Sequence, residues 1–265
     1  MLSSTFRLVL PEIASSPILK DLLRSFKIER PVAVNRTPSW DLNIVLRFLR
    51  SDQFEPLELV PLRECTKKVL FLVALATAHR VGELQAVSKV VSFQGQDIFL
   101  SYIPDFVAKT ETDSNPIPRS FIVKSLADFV GNMKEELLLC PVRALRIYIS
   151  RVEKLLPRPR QLFVSPKNPN RAISKNAISF FLRQVISQAH ESVGDPGPSV
   201  RHRAHSVRGM ATSAAFFKNI AIPKILQAAN WRSASVFSSF YLKDIQFSST
   251  EGFSLGPFVA AKAIM

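Results

Sequence analysis

Two cysteines, Cys65 and Cys140, are all that the 265 residues contain, and they lie far apart. That excludes a disulfide framework and a cysteine-based zinc site, and it suits a reducing compartment. Glycine is scarce, with 8 in the chain, while 47% of residues are hydrophobic, so the composition is globular rather than disordered. No stretch approaches the ~20 apolar residues that a bilayer-crossing helix needs. The opening MLSSTFRLVLPEIASS has one basic residue and an apolar run broken at Pro11, a poor signal peptide. There is no G-x-S-x-G nucleophile elbow, no glycine-rich phosphate loop and no carboxylate cluster of the kind a metal nuclease needs. His202 and His205 share a helical face without a third ligand nearby, so neither a metal nor another cofactor is expected. Acidic residues are also few. Against 35 Lys and Arg stand 21 Asp and Glu, a formal charge of +14. That excess points to a polyanionic partner, nucleic acid before a membrane surface. The expectation is a soluble, intracellular protein that does not enter membranes.

What is present reads as helices around one minor sheet. Pro17 to Phe26 suits a helix, and ERPVAVNRTPSW, with two prolines, reads as a linker. Leu42 to Arg50 places Leu42, Val45, Leu46 and Leu49 on one face. Leu62 to Ala78 is apolar nearly all round, as in a helix buried within a domain, and it delivers Arg80 at its C-terminal end. Between Val90 and Val123 the runs VVSF, DIFLSYI, DFVAKT and RSFIV predict a small antiparallel sheet whose hairpin carries Lys109. Pro141 opens a helix to about Lys154, and Ser174 caps one to about His190. Ala204–Lys218, Ile222–Ala229 and Ala234–Leu242 complete a core that is mainly α with a small antiparallel β-sheet, an α+β class.

The chemistry-bearing residues come late in the chain: His205 and Arg208 in HSVRG, Trp231 in AANW and Tyr241 in SSFYL, with Arg80 far upstream in ATAHRVGEL. Two guanidinium groups present planar forks of donors to phosphate oxygens. A tyrosine hydroxyl, with a pKa near ~10, attacks only if a neighbour takes its proton or positive charge favours phenolate. His205 can do the first and the arginines the second. At i and i+3 on a helix, His205 and Arg208 leave from one face. Each residue also has a bland reading. Arg80 can pair with Glu83, His205 can be a surface histidine, and Trp231 and Tyr241 can be core.

Taken in order, these residues resemble the catalytic domain of the tyrosine recombinases, over roughly Leu62 to Asp244. RVGELQAVS and WRSASVFSSFYLKD are most similar to recombinases of eukaryotic DIRS-type retroelements, and less so to bacterial Xer proteins or phage integrases. The resemblance implies cleavage and rejoining of double-stranded DNA without metal, by a homotetramer assembled on DNA in the nucleus. Arg80 and Arg208 would bind the scissile phosphate and His205 would act in proton transfer. Trp231 would donate its ring N–H to the phosphate, and Tyr241 would become 3′-phosphotyrosyl. A lysine on the sheet hairpin would protonate the 5′-oxygen leaving group, and Lys109 takes that place, with Lys124 as its rival.

On this reading 1–40 is a partial N-terminal helical segment and linker, the remnant of a core-binding domain. Residues 41–244 form the catalytic domain and 245–265 a C-terminal tail. The tail is expected either to pack on a neighbouring subunit or to cover a groove of its own domain. Two departures from the family stand out. One or two helices precede the linker where the family has a whole core-binding domain. The gap from Trp231 to Tyr241 is one residue longer than the common spacing, about 100° on a continuous helix, and a loop before Ala234 is expected to absorb it. Two further readings compete: a DNA-binding protein on the same fold that no longer cuts, and an unrelated helical RNA-binding protein. The intact residue set argues against the RNA-binding reading and leaves the other open.

Overall fold

A computed structural model describes residues 16–29, 38–109, 111–113, 116–127, 134–194, 204–231 and 233–243. The expectations for the tail, 245–265, and for most of the proline-rich linker lie outside these residues. Two compact units divide the chain, Met1–Asn35 and Arg36–Met265. In the first, helix α1 (Pro17–Glu29) starts on a proline, whose missing N–H costs nothing in a first turn.

The second unit opens with α2 (Leu42–Phe48), capped by the Asp41 carboxylate accepting from Asn43 N at 2.6 Å. Helix α3 (Leu62–Thr77) is buried from Cys65 to Thr77 and forms the centre of the fold. It stops at Ala78, which takes a left-handed φ of 52° and turns the chain into the short α4 (Val81–Gln85). A three-stranded antiparallel sheet follows, in the order β1 (Val87–Gln94), β2 (Asp97–Tyr102) and β3 (Ser120–Val123). Gln94 pairs with Asp97 across a two-residue turn, and Gly95 supplies the positive φ of 58° that such turns require. Ile98, Leu100, Tyr102, Phe121 and Val123 are buried, whereas most of β1 is exposed.

Four runs of β character yield three strands. DFVAKT is not one of them, and the β2–β3 connection spends its donors on turns instead. Phe106 N donates to Ile103 O at 3.1 Å and Ala108 N to the Glu111 carboxylate at 2.9 Å, while Val107 is 71% exposed. Arg119 braces the same connection by donating to Phe106 O and to Glu111, each at 2.7 Å. Lys109 therefore sits exposed in the long loop that joins the antiparallel strands β2 and β3, rather than on a strand.

Helices α5 (Lys134–Leu137) and α6 (Pro141–Val152) come next, α6 with Pro141 in its first turn. Helix α7 (Lys175–Ser192) is capped by Ser174 Oγ accepting from Ala177 N at 3.1 Å. Its apolar stripe of Ile178, Phe181, Leu182, Val185, Ile186 and Ala189 is buried at helical spacing. Helices α8 (Ser206–Phe217), α9 (Ile222–Ala228) and α10 (Ala234–Val236) lead into a π-helical turn, Phe237–Tyr241. Helices α6, α7 and α8 all pack on α3, and the π-turn lies against α8. Short β-strands beside ten helices among the described residues make this the expected α+β class. Among the same residues no helix is long and apolar enough to cross a membrane.

Candidate active site

Arg80 leaves α3 in an extended conformation and begins α4, where Glu83 turns back to it. The Arg80 N–H donates to Glu83 Oε2 at 2.7 Å and its guanidinium donates to Oε1 at 3.0 Å. This is the carboxylate half of a capping box, so the bland reading of Arg80 as the mate of Glu83 holds as far as it goes. Glu83 has a second cation, however. Arg208 Nη1 lies 3.7 Å from Glu83 Oε2, so one buried carboxylate faces both arginines. Sequence reasoning saw Glu83 only as the partner of Arg80. The signal for more was its helical N3 position, which sends its carboxylate back over the residue that starts the helix.

Arg208 comes from the first turn of α8 and is 2% exposed. Its guanidinium rests on the C-terminal end of α9, donating from Nη2 to the Ala229 carbonyl. The negative end of a helix dipole and the Glu83 carboxylate offset part of its desolvation. Burial, aided by the charge of Arg80, pulls its pKa down to about 10, which still leaves it protonated at neutral pH. Arg208 Nε and Nη1 have no hydrogen-bond partner among the described residues.

Helix α9 delivers Trp231 through a Schellman ending. Asn230 takes a left-handed φ of 49°, its N–H bonds Gln227 O at 3.1 Å, and Trp231 N bonds Leu226 O at 2.9 Å. The Trp231 ring lies 4.7 Å from the Arg208 guanidinium and 4.4 Å from the Tyr241 ring. Its Nε1–H is a second buried donor without a partner among the described residues.

Tyr241 ends the π-turn, which closes with Leu242 N donating to Phe237 O at 2.9 Å, five residues back. Two α8 residues, one helical turn apart, hold it. Ser213 Oγ donates to Tyr241 O at 3.0 Å and accepts from Lys243 N at 2.8 Å. Gly209 lets the chain come close, since a Cβ there would meet Tyr241 O at 3.2 Å. Neither was singled out from the sequence, because each acts through the backbone of a residue about thirty positions away.

The Tyr241 hydroxyl and His205 Nε2 are 2.5 Å apart. His205 immediately precedes α8, so it and Arg208 do flank the same ring. His205 is exposed as a whole, but its edge toward Tyr241 is covered. That desolvation, with the positive charges of Arg208, Arg80 and Lys109, lowers its pKa and favours the neutral imidazole. A neutral ring nitrogen beside a phenol is a proton acceptor.

The two lysines differ in place. Lys109 is close enough for its charge to act on His205. Lys124 follows β3 and forms an ion pair with Asp97 at 2.6 Å. The active-site end of β3 is Ser120, which pairs with Ser101 beside Tyr102, and Lys124 is four residues away, about 13 Å along a strand. Of the six residues singled out, Arg80, His205, Arg208, Trp231 and Tyr241 form one cluster, with Lys109 exposed at its border. Chemically the cluster offers cationic and neutral donors for an oxyanion and a hydroxyl with a base in contact. No family model matches the chain, and no curated protein matches it.

Proposed function

We propose that this chain is a tyrosine recombinase of the DIRS-retroelement type, cleaving and rejoining double-stranded DNA through a 3′-phosphotyrosyl intermediate. The observation that carries the reading is the 2.5 Å contact between the Tyr241 hydroxyl and His205 Nε2, made within one chain and beside Arg208 and Trp231. His205, kept neutral, takes the phenolic proton as Tyr241 attacks phosphorus. Arg80, Arg208 and the Trp231 N–H receive the nonbridging oxygens, and donors fixed before the reaction are worth most where charge develops. Lys109 gives a proton to the departing 5′-oxygen. Three cationic side chains supply the positive charge that a metal provides elsewhere. The π-turn supports the family resemblance in a specific way. A π-turn carries one residue more than an α-turn, so together with the non-helical Trp231 and Ser233 ahead of Ala234 it gives the chain room for the extra residue between Trp231 and Tyr241. The reading also extends to a nuclear, DNA-assembled homotetramer with the fold of the family's catalytic domain.

Incubation with a nicked suicide DNA tests this. A covalent adduct should form with the intact chain, persist in EDTA, and vanish in Tyr241→Phe, which keeps its melting temperature and DNA affinity. An adduct that survives in the Phe variant means another residue attacks. The 2% exposure of Arg208 favours a second reading, a DNA-binding protein on the same fold that no longer cuts. It predicts DNA binding with no adduct at all.

A further inference from the structure

Of the two tryptophans, Trp231 stands in the cluster and Trp40 lies where the chain enters the second unit, which begins at Arg36. Trp40 is 3% exposed, and its ring meets Phe71 of α3 edge-on, with centroids 6.0 Å apart. An indole N–H can only donate. Here it donates to Ser206 Oγ at 2.9 Å, across 166 residues of sequence. The next residue fixes the backbone. Asp41 N–H donates to His190 Nε2 of α7 at 3.1 Å, and the Asp41 carboxylate caps α2. Trp40 is thus held by its ring and by its neighbour, with its one polar side-chain atom turned to α8.

What it grips is the least secured point of the cluster. Ser206 is the first residue of α8, and His205 directly precedes it. Helices fray from their ends because the first N–H groups have no partner within the helix. A serine, threonine, aspartate or asparagine at the capping position usually answers them. His205 holds that position with helical φ and ψ of −66° and −20°, and its side chain makes no capping hydrogen bond. The imidazole turns to the Tyr241 hydroxyl instead. A ring committed to a proton contact cannot also secure the helix it starts, so the turn is held from outside. The bond from Trp40 lands one residue from His205.

We propose that Trp40 is a positioning residue, whose indole N–H holds the first turn of α8 and so keeps His205 against the Tyr241 hydroxyl. The clamp is a property of the free chain, while its effect on cleavage rests on the proposed function. The competing role is that of a core tryptophan whose N–H is merely satisfied by Ser206. That role affects melting temperature and leaves His205 as it is.

Three variants of the full-length chain test it. Trp40→Phe keeps a ring against Phe71 and removes the donor, Ser206→Ala removes the acceptor at a half-buried position, and the third combines them. In the free chain, ¹⁵N-histidine NMR followed against pH reads His205, its signal assigned by its loss in His205→Ala. Desolvation, then the charges of Arg208, Arg80 and Lys109, lower the His205 pKa against the opposing charge of Glu83. A loosened turn admits water, so each single variant should raise that pKa toward 6.5. The double variant should raise it no further, because both substitutions remove one interaction. Adduct formation on the nicked DNA should slow about 10-fold in all three at unchanged DNA affinity. If the parent chain forms no adduct, the proposed function fails and the titration alone decides on the clamp. If Trp40→Phe does not fold, Ser206→Ala decides by the same titration. A His205 titration at its parent value in the single variants overturns the proposal, and so do shifts that add in the double variant. A shifted titration with cleavage at the parent rate overturns it too, since His205 would then need no holding.

Discussion

Two carboxylates in this fold each face two cations, and they are finished differently. Glu55 accepts from Arg143 through both oxygens, at 2.8 and 2.9 Å, and pairs with Lys68 at 2.5 Å. Lys68 is completed by the Leu49 carbonyl at 2.6 Å. Burial alone would raise the Glu55 pKa, but the bonds from Arg143 and Lys68 outweigh it and hold the group below the ordinary carboxylate range. Glu83 is matched closely to Arg80 and only at 3.7 Å to Arg208, whose Nε and Nη1 keep unmatched donors. The first network is closed and ties α3, α6 and the loop before α3 together. The second keeps donors in reserve around the Tyr241 hydroxyl. A buried ionic network left incomplete is costly, so incompleteness beside Tyr241 is a better sign of function than the charges themselves.

Breaking the closed network should cost stability and nothing else. Glu55→Ala strands the buried Lys68 and unpairs the partly exposed Arg143, and the expected loss is about 3–5 kcal/mol in urea unfolding. The cleavage rate of the fraction that remains folded should stay unchanged. A stable Glu55→Ala protein would show that the network contributes little.

The open network should respond in the opposite way. Arg208→Ala is expected to slow adduct formation roughly 10²–10³-fold, the cost of losing a preorganised donor to an oxyanion. Arg80→Ala should do the same and lose stability too, because it leaves Glu83 without its nearest partner. Unchanged cleavage in either variant removes that arginine from the site.

Lys109 and Lys124 sharpen the comparison by position. Lys109→Ala should slow cleavage by about 10²-fold as a lost general acid. A 5′-bridging phosphorothiolate, whose thiolate leaves without a proton, should restore it. Lys124→Ala removes the pair with Asp97 and should leave cleavage alone. If only the Lys124 variant is rescued, the roles are reversed.

The smallest effect expected is on pH dependence. His205 has its pKa lowered in the folded chain from the usual 6.5, so the unfolded state binds its proton more readily. Stability should therefore decline as pH falls from 6.5 toward the folded value, and this term is absent in His205→Ala. Cleavage should fall with acid at a midpoint below 6.5, as the imidazole loses its capacity to accept the Tyr241 proton. A midpoint above 6.5 would mean that a charged partner dominates at His205.

Much of the fold was legible because local chemistry and burial agreed. Ser174 caps α7 and Pro141 opens α6 where their residue types prefer to sit, and the 3.6-residue stripe of α7 is the face that is buried. DFVAKT misled because β-rich composition says nothing of where backbone groups find partners, and Glu111 accepts from Ala108 N while Arg119 donates to Phe106 O, which holds the segment in turns. The π-turn was invisible because α and π windings share residue preferences, and the choice falls to Ser213 and Gly209 on another helix.

The amino-acid order by itself determined the class of the fold, the buried central helix and the list of candidate groups, since side-chain type and period act within a few residues. Tertiary structure decided which groups meet. It placed Tyr241 on His205 and set Glu83 between two arginines. It kept Lys109 near the cluster while engaging Lys124 elsewhere. Those outcomes depend on distances between segments up to 161 residues apart, as for Arg80 and Tyr241, and only packing around α3 sets such distances.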